Sequence, residues 1–293
     1  MSLFDQLLQF TIGGLGTGAI YAIVGLGFMI VYSVTRVVNF AQGEFVMIGG
    51  MLTSLLYAAG MPLLPAMFIA VVGAVLLGAL IQRGIIHPAR NASTVTLILL
   101  TFGISIVVRG IALLLWKTDP HSFPSFSGTK SIALGGAVFQ PQTLWIVGTL
   151  AVLSVGLYLF FDKTMRGKAF QACAINPTAA RIMGIKVETM ALLAFALAAG
   201  MGAVAGIVTT PLTTTSYDIG IPMAVKGFVA ALVGGLNRIE GVLLGGIVLG
   251  VLESLAAGLI SSGFKDAIAL VVLILVLVFR PGGLLGGAEA GHV

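Results

Sequence analysis

The sequence predicts an all-α, polytopic integral membrane protein, and three observations carry that expectation. The chain is 58% hydrophobic, only 9% of it is charged, and it holds 40 glycines. Its mean hydropathy is +1.13. It contains several apolar runs of about twenty residues, the length that crosses a hydrocarbon layer about 30 Å thick. The period-2 alternation of a membrane barrel is absent, so the spans are expected as helices, which satisfy their backbone groups internally. The whole of 1–293 reads as one transmembrane domain.

Nine spans are expected, at 8–33, 40–59, 63–83, 93–116, 141–161, 189–211, 222–236, 241–262 and 264–280. The seventh is short and broken by glycine, which marks it as a re-entrant or discontinuous element and leaves the count at eight to nine. The N-terminus, MSLFDQ, has no basic segment and no small-residue cleavage site before the first span, so no cleaved signal peptide is expected.

Orientation follows from the Lys and Arg bias. One side collects Arg36, Arg83, Arg90, Lys163, Arg166, Lys168, Arg181, Lys186, Arg238 and Arg280, and the other Lys117, Lys130, Lys226 and Lys265, with Arg109 inside a span. Ten basic residues against four place the first group, and with it the C-terminus, in the cytoplasm. Nine crossings then put the N-terminus outside. The net charge of +5 sits at span ends rather than on an aromatic-studded face, which argues against nucleic acid as a partner. The 117–140 loop, rich in Pro, Ser and Gly, is the longest outer segment, and reads either as a contact for an external partner or as a solvated connector.

The most informative stretch is the basic insert 162–188, DKTMRGKAFQACAINPTAARIMGIKVE. Asn176 is a preferred N-cap, Pro177 suits the first helical position, and Gly184 supplies the left-handed residue that ends a helix. Arg181 lies in the last turn, where a cation suits the helix dipole. The helix predicted over 177–183 is far shorter than the ~12–15 residues that hold a helix in water. Ala179, Ile182 and Met183 share one face, so this helix needs an apolar surface to lie against. The lone Cys173 in this insert fits a reducing, cytoplasmic side.

Polar residues inside apolar runs mark candidate pathway positions. Glu253 falls near the middle of the eighth span, where an ion pair with another span and a transport role are both open. Asn39, Gln42 and Glu44 crowd the junction of the first two spans, with Gly43 between them. That junction reads as a broken start to the second span lining a path, the alternative being an interfacial loop that caps helix ends. Gly14 and Gly18, Gly241 and Gly245, and Gly246 and Gly250 carry the small-xxx-small spacing of closely packed helices. Asn39-x-x-x-Gly43 is echoed weakly by Asn237-x-x-x-Gly241. No phosphate-binding loop, no metal-binding spacing among His87, His121, His292 and Cys173, and no hydrolase signature appears, so no enzyme active site is expected.

Four stretches carry a family resemblance: 18–31 (GAIYAIVGLGFMIV), 38–50 (VNFAQGEFVMIGG), 167–185 (GKAFQACAINPTAARIMGI) and 234–253 (GGLNRIEGVLLGGIVLGVLE). In these the chain resembles the LivH-type permease subunits of ABC importers for branched-chain amino acids. Two departures stand out: Gln42 where the family often has His, and Ala174-Ile175 where an acidic residue often precedes the Asn-Pro-like pair. The resemblance implies an inner-membrane subunit paired with a second, LivM-like permease. It further implies two cytoplasmic ATPases that bind ATP and Mg, and an extracytoplasmic substrate-binding protein. This chain itself would carry no cofactor. The 176–184 segment would be the coupling helix seated on an ATPase. Urea, short amides, other amino acids or a sugar remain alternative cargoes, and an ion-coupled secondary transporter or channel is the rival of a different class.

Overall fold

The computed structural model describes residues 3–134, 136–280 and 282–285. Helix α1 spans Leu3–Thr35 and α2 Gln42–Ala58; α3 covers Leu63–Ile81 and continues as a π-helical turn, Gln82–Ile86; α4 is Thr94–Trp116. A short hairpin, β1 (Ile132–Leu134) and β2 (Ala137–Phe139), precedes α5 (Pro141–Lys163). Next come α6 (Met165–Ile175), α7 (Pro177–Ile182), α8 (Val187–Thr213), α9 (Gly220–Gly234), α10 (Ile239–Leu259) and α11 (Lys265–Phe279). Seven helices are long and apolar enough to cross a membrane, and α9 is a shorter apolar one, so this is a multi-pass all-α membrane protein.

A helix lies at each expected span, within about five residues of its predicted limits; the second and seventh are the short ones, α2 with 17 residues and α9 with 15. The grouping of the spans follows from glycine. α1 is the central helix, 89% of its most apolar stretch being buried, and it packs against α10, α8 and α9. Gly14 and Gly18 of α1 meet the backbone of α10 at Gly250 and Gly246, where a Cβ would collide with main chain. The small-residue spacing read from the sequence thus forms two seams on α10, Gly246 and Gly250 against α1 and Gly241 and Gly245 against α9, in which backbones approach closely enough for dispersion contacts to hold the helices together. α11 lies at the periphery, with Ala269 its only buried residue among those described.

Two helices begin inside the bundle. Gln42, the first residue of α2, packs against Gly27, roughly two turns before the end of α1, so residues 36–41 fold back along α1 before α2 starts. Arg36 opens this return with φ 55°, and its guanidinium donates to the Ala174 carbonyl at 2.6 Å. α9 likewise begins against α2: Gly43 and Gly220 touch backbone to backbone. At its other end Gly234 meets Gly241 in the same manner. The two glycines of the weak Asn-x-x-x-Gly echo therefore hold the two ends of one short helix.

The insert contains two helices where one was predicted. Thr164 caps α6, accepting from the Gly167 amide at 2.9 Å, a start signal weaker than the Asn176–Pro177 pair. The second helix stops at Ile182 rather than Met183, which takes the C-cap position ahead of Gly184 at φ 85°. On the opposite side, the 117–140 loop is fastened rather than loose. His121 and Thr215 exchange both backbone hydrogen bonds at 2.8 Å. The fully buried Gln142 accepts from the Phe126 amide and donates to the Val208 carbonyl.

Candidate functional site

Asn39, Gln42 and Glu44 are all buried, at 0%, 0% and 1% exposure. They do not converge on one another. Residues two apart on a helix point to opposite sides, and here Gln42 enters a slot between Gly27 of α1 and Gly202 of α8, where its amide donates to the Ala198 carbonyl at 2.9 Å. Glu44 turns the other way. Its Oε1 accepts from the Ser105 hydroxyl of α4 at 2.6 Å, and its Oε2 faces Gly220 at the start of α9. Asn39 closes the fold-back turn, its Oδ1 accepting from the Ala41 amide at 3.2 Å. Phe40 is secured by its amide donating to Thr101 Oγ1 at 3.2 Å.

Each of these side chains keeps one polar atom without a hydrogen-bond partner among the described residues: Asn39 Nδ2, Gln42 Oε1 and Glu44 Oε2. Buried polar groups are normally hydrogen-bonded. Three orphans within six residues mark the break before α2 as a place with unspent hydrogen-bonding capacity. Ser105 and Thr101, which complete this region, were missed from sequence. A hydroxyl in an apolar helix carries little signal until the facing carboxylate or amide is known.

Glu253, the fourth pathway candidate, belongs to a separate cluster. It is fully buried, and its Oε1 lies 2.7 Å from Lys226 Nζ, 3.3 Å from Lys265 Nζ and 3.1 Å from the Tyr21 hydroxyl. Lys226 also pairs with Asp266 at 2.8 Å and lies 5.5 Å from the Tyr21 ring centre. The cluster thus ties α9, α10, α1 and α11 together. Lys226, one of the four basic residues assigned to the outer side, is an interior residue of α9 and only 8% exposed. Its partner was visible in the sequence as an opposite charge in a neighbouring span.

In the insert, Asn176 Oδ1 accepts from the amides of Thr178 and Ala179, both at 3.0 Å, which fixes the first turn of α7. Ala180 alone turns inward, at 4% exposure, while Ile182 and Met183 are each 81% exposed and Ala179 is exposed with them. Arg181 serves as a tie as well as a dipole partner, its Nη2 lying 3.1 Å from Glu188 Oε1 on α8. Two more apolar side chains of the insert stand out, at the two ends of α6: Met165 at 84% and Ile175 at 83%. Among the described residues, no group of three or more His, Cys, Asp or Glu is arranged to hold a metal.

A bundle of apolar helices, with two of them starting inside the protein and a polar, partly unsatisfied break between them, has the build of a membrane transport subunit. Comparison with known proteins agrees. The family described as the permease component of branched-chain amino acid transport systems matches residues 10–277, and the chain belongs to it. The high-affinity branched-chain amino acid transport system permease protein LivH of Escherichia coli (strain K12) is 31% identical, covering 99% of each chain. BraD of Pseudomonas aeruginosa, which carries the same description, is 31% identical over 98% of each chain. The ribose import permease protein RbsC of Haemophilus influenzae is 24% identical, covering 89% of this chain and 81% of its own. These relatives are transport permeases, not enzymes.

Proposed function

We propose that this chain is one of two permease subunits of an ATP-driven importer, carrying branched-chain amino acids across the cytoplasmic membrane. Its whole length acts as one transmembrane domain, with the basic insert and C-terminus cytoplasmic and the 117–140 loop outside. A LivM-like subunit completes the path, an extracytoplasmic binding protein delivers the cargo, and two cytoplasmic ATPases hold ATP and Mg. The chain supplies the corridor and the lever, and the ATPases supply the hydrolysis. Passage runs beside the α2 break, where Asn39, Gln42 and Glu44 offer the unpartnered polar atoms.

The observation that carries this reading is the exposed apolar face of α7. Ile182 and Met183, at the end of a six-residue helix and its C-cap, are four-fifths exposed. A pair of bare apolar side chains on a basic, water-facing insert calls for a partner surface, and the named substrates of the 31%-identical relatives supply the cargo class.

The test is Ile182→Asp in the co-expressed importer. The variant is expected to insert and to pair with its permease partner, but to lose ATPase co-purification and ATP-dependent leucine uptake. Normal ATPase retention and uptake would refute the docking role. Uptake by this chain alone in proteoliposomes, driven by an ion gradient without ATP, would refute the importer reading as a whole.

A further inference from the structure

The docking helix α7 packs mainly on its neighbour α6, and it reaches the spans through Ala180, through the turn into α8, and through one charge. That charge is Arg181, and its partner Glu188 lies in the first turn of α8, one of the long spans. The same carboxylate oxygen, Oε1, lies 3.9 Å from Arg90 Nη1, approached from another element. Arg90 follows the π-helical turn that ends α3, and its Nη1 is 3.0 Å from His87 Nε2 in that connection. A small cavity of about 140 Å³ lies between these groups, lined among others by Gln82, His87, Arg90, Arg181 and Glu188.

Glu188 is thus a shared carboxylate, with one guanidinium on the docking helix and one on the junction between α3 and α4. Exposed ion pairs contribute little to stability, so a role in holding the fold together does not account for the arrangement. Geometry does. The π-helical turn, closed by the His87 amide donating to the Gln82 carbonyl at 2.7 Å, is a segment of irregular register, and such turns are frequent at functional sites. α8 in turn carries Ala198 and Gly202, which hold Gln42 at the α2 break.

We infer that Glu188 is the positioning residue that carries motion of α7 to two spans at once: to α8 directly, and to the end of α3 through Arg90. Displacement of α7 by its partner draws on the shared carboxylate, and the α3–α4 junction follows through its π-helical turn. α8 then moves the slot that holds Gln42. This inference rests on the docking reading above and adds to it the route by which docking is felt in the membrane.

The experiment measures leucine uptake and ATP hydrolysis together, in proteoliposomes of the assembled importer. Glu188→Gln is expected to keep ATPase co-purification and hydrolysis while uptake per ATP falls about five-fold or more, the size of a modest coupling energy. Glu188→Asp, which keeps the charge, is expected to recover most of that loss. Arg90→Gln and Arg181→Gln are each expected to lower uptake per ATP, and neither to add to Glu188→Gln when combined with it, because all three break one relay. Uptake per ATP at the wild-type level in Glu188→Gln would overturn the inference, as would fully additive losses. Loss of ATPase co-purification in Glu188→Gln would make it a docking residue instead, and overturn the relay. The failure of the docking reading itself is separately visible, as ATPase retention by Ile182→Asp.

Discussion

Lys226 Nζ lies 2.7 Å from an oxygen of Glu253, whose side chain is wholly buried, so the short helix α9 is tied to α10 by an ion pair inside the bundle. Two charges out of water are costly, and removing one partner leaves the other uncompensated. Lys226→Met is therefore expected to lower stability by about 3–5 kcal/mol, less whatever Lys265 recovers. Lys226→Met with Glu253→Leu is expected to regain most of that loss. Thermal unfolding in detergent measures both, and a double variant as unstable as the single one would show that the pair does more than neutralise itself.

The contact between Gly43 and Gly220 makes a second prediction. Neither residue has room for a Cβ, whereas Gly103 and Gly148 have open space at theirs. Gly43→Val and Gly220→Val must push α2 and α9 apart, at a cost of about 1–3 kcal/mol or more, and are expected to abolish uptake. Gly103→Ala and Gly148→Ala are expected to leave uptake unchanged. Comparing the four in one uptake assay decides whether the α2–α9 contact or glycine content in general matters.

Asn176 caps α7 through two backbone amides, so Asn176→Ala is expected to destabilise that helix by about 1 kcal/mol. A six-residue helix has little else to hold its first turn. Limited proteolysis within 176–184 is expected to accelerate severalfold, while cleavage elsewhere keeps its rate.

Cysteines at positions 39, 42 and 44 test the path. All three residues are buried, so water-soluble thiol reagents are expected to react slowly at rest. During ATP turnover the cysteines replacing Gln42 and Glu44 are expected to become reactive, the one at 42 as α8 moves the slot between Gly27 and Gly202. Protection at all three positions in every state would leave the break a structural turn.

The native Cys173 does not interfere with such labelling. It is 1% exposed, and burial pushes its thiol above the ordinary range, so little thiolate exists at neutral pH. Wild-type protein is expected to label only on unfolding.

Much of this molecule could be read from its residues. Long apolar runs have one use in a membrane, so the spans were legible within a few residues. Asn176, Pro177 and Gly184 announced α7 because caps are local chemistry, and Gly14 and Gly18 announced a close helix contact because spacing alone sets a helix face. α6 was less legible, since Thr164 is a weaker signal than an Asn-Pro pair.

What only the tertiary structure decided was which partner each polar residue meets. The Lys and Arg count gave Lys226 a side of the membrane but no partner, and the fold buried it beside Glu253, 27 residues further along the chain. Asn39, Gln42 and Glu44 read as one polar group because they are adjacent in the chain. The helix separated Gln42 and Glu44 onto opposite faces, since rotation about its axis, not sequence distance, sets direction. Glu188 is the same lesson in reverse. Nothing local distinguishes it from any glutamate at a helix start, and only packing brings Arg90 and Arg181 to one of its oxygens.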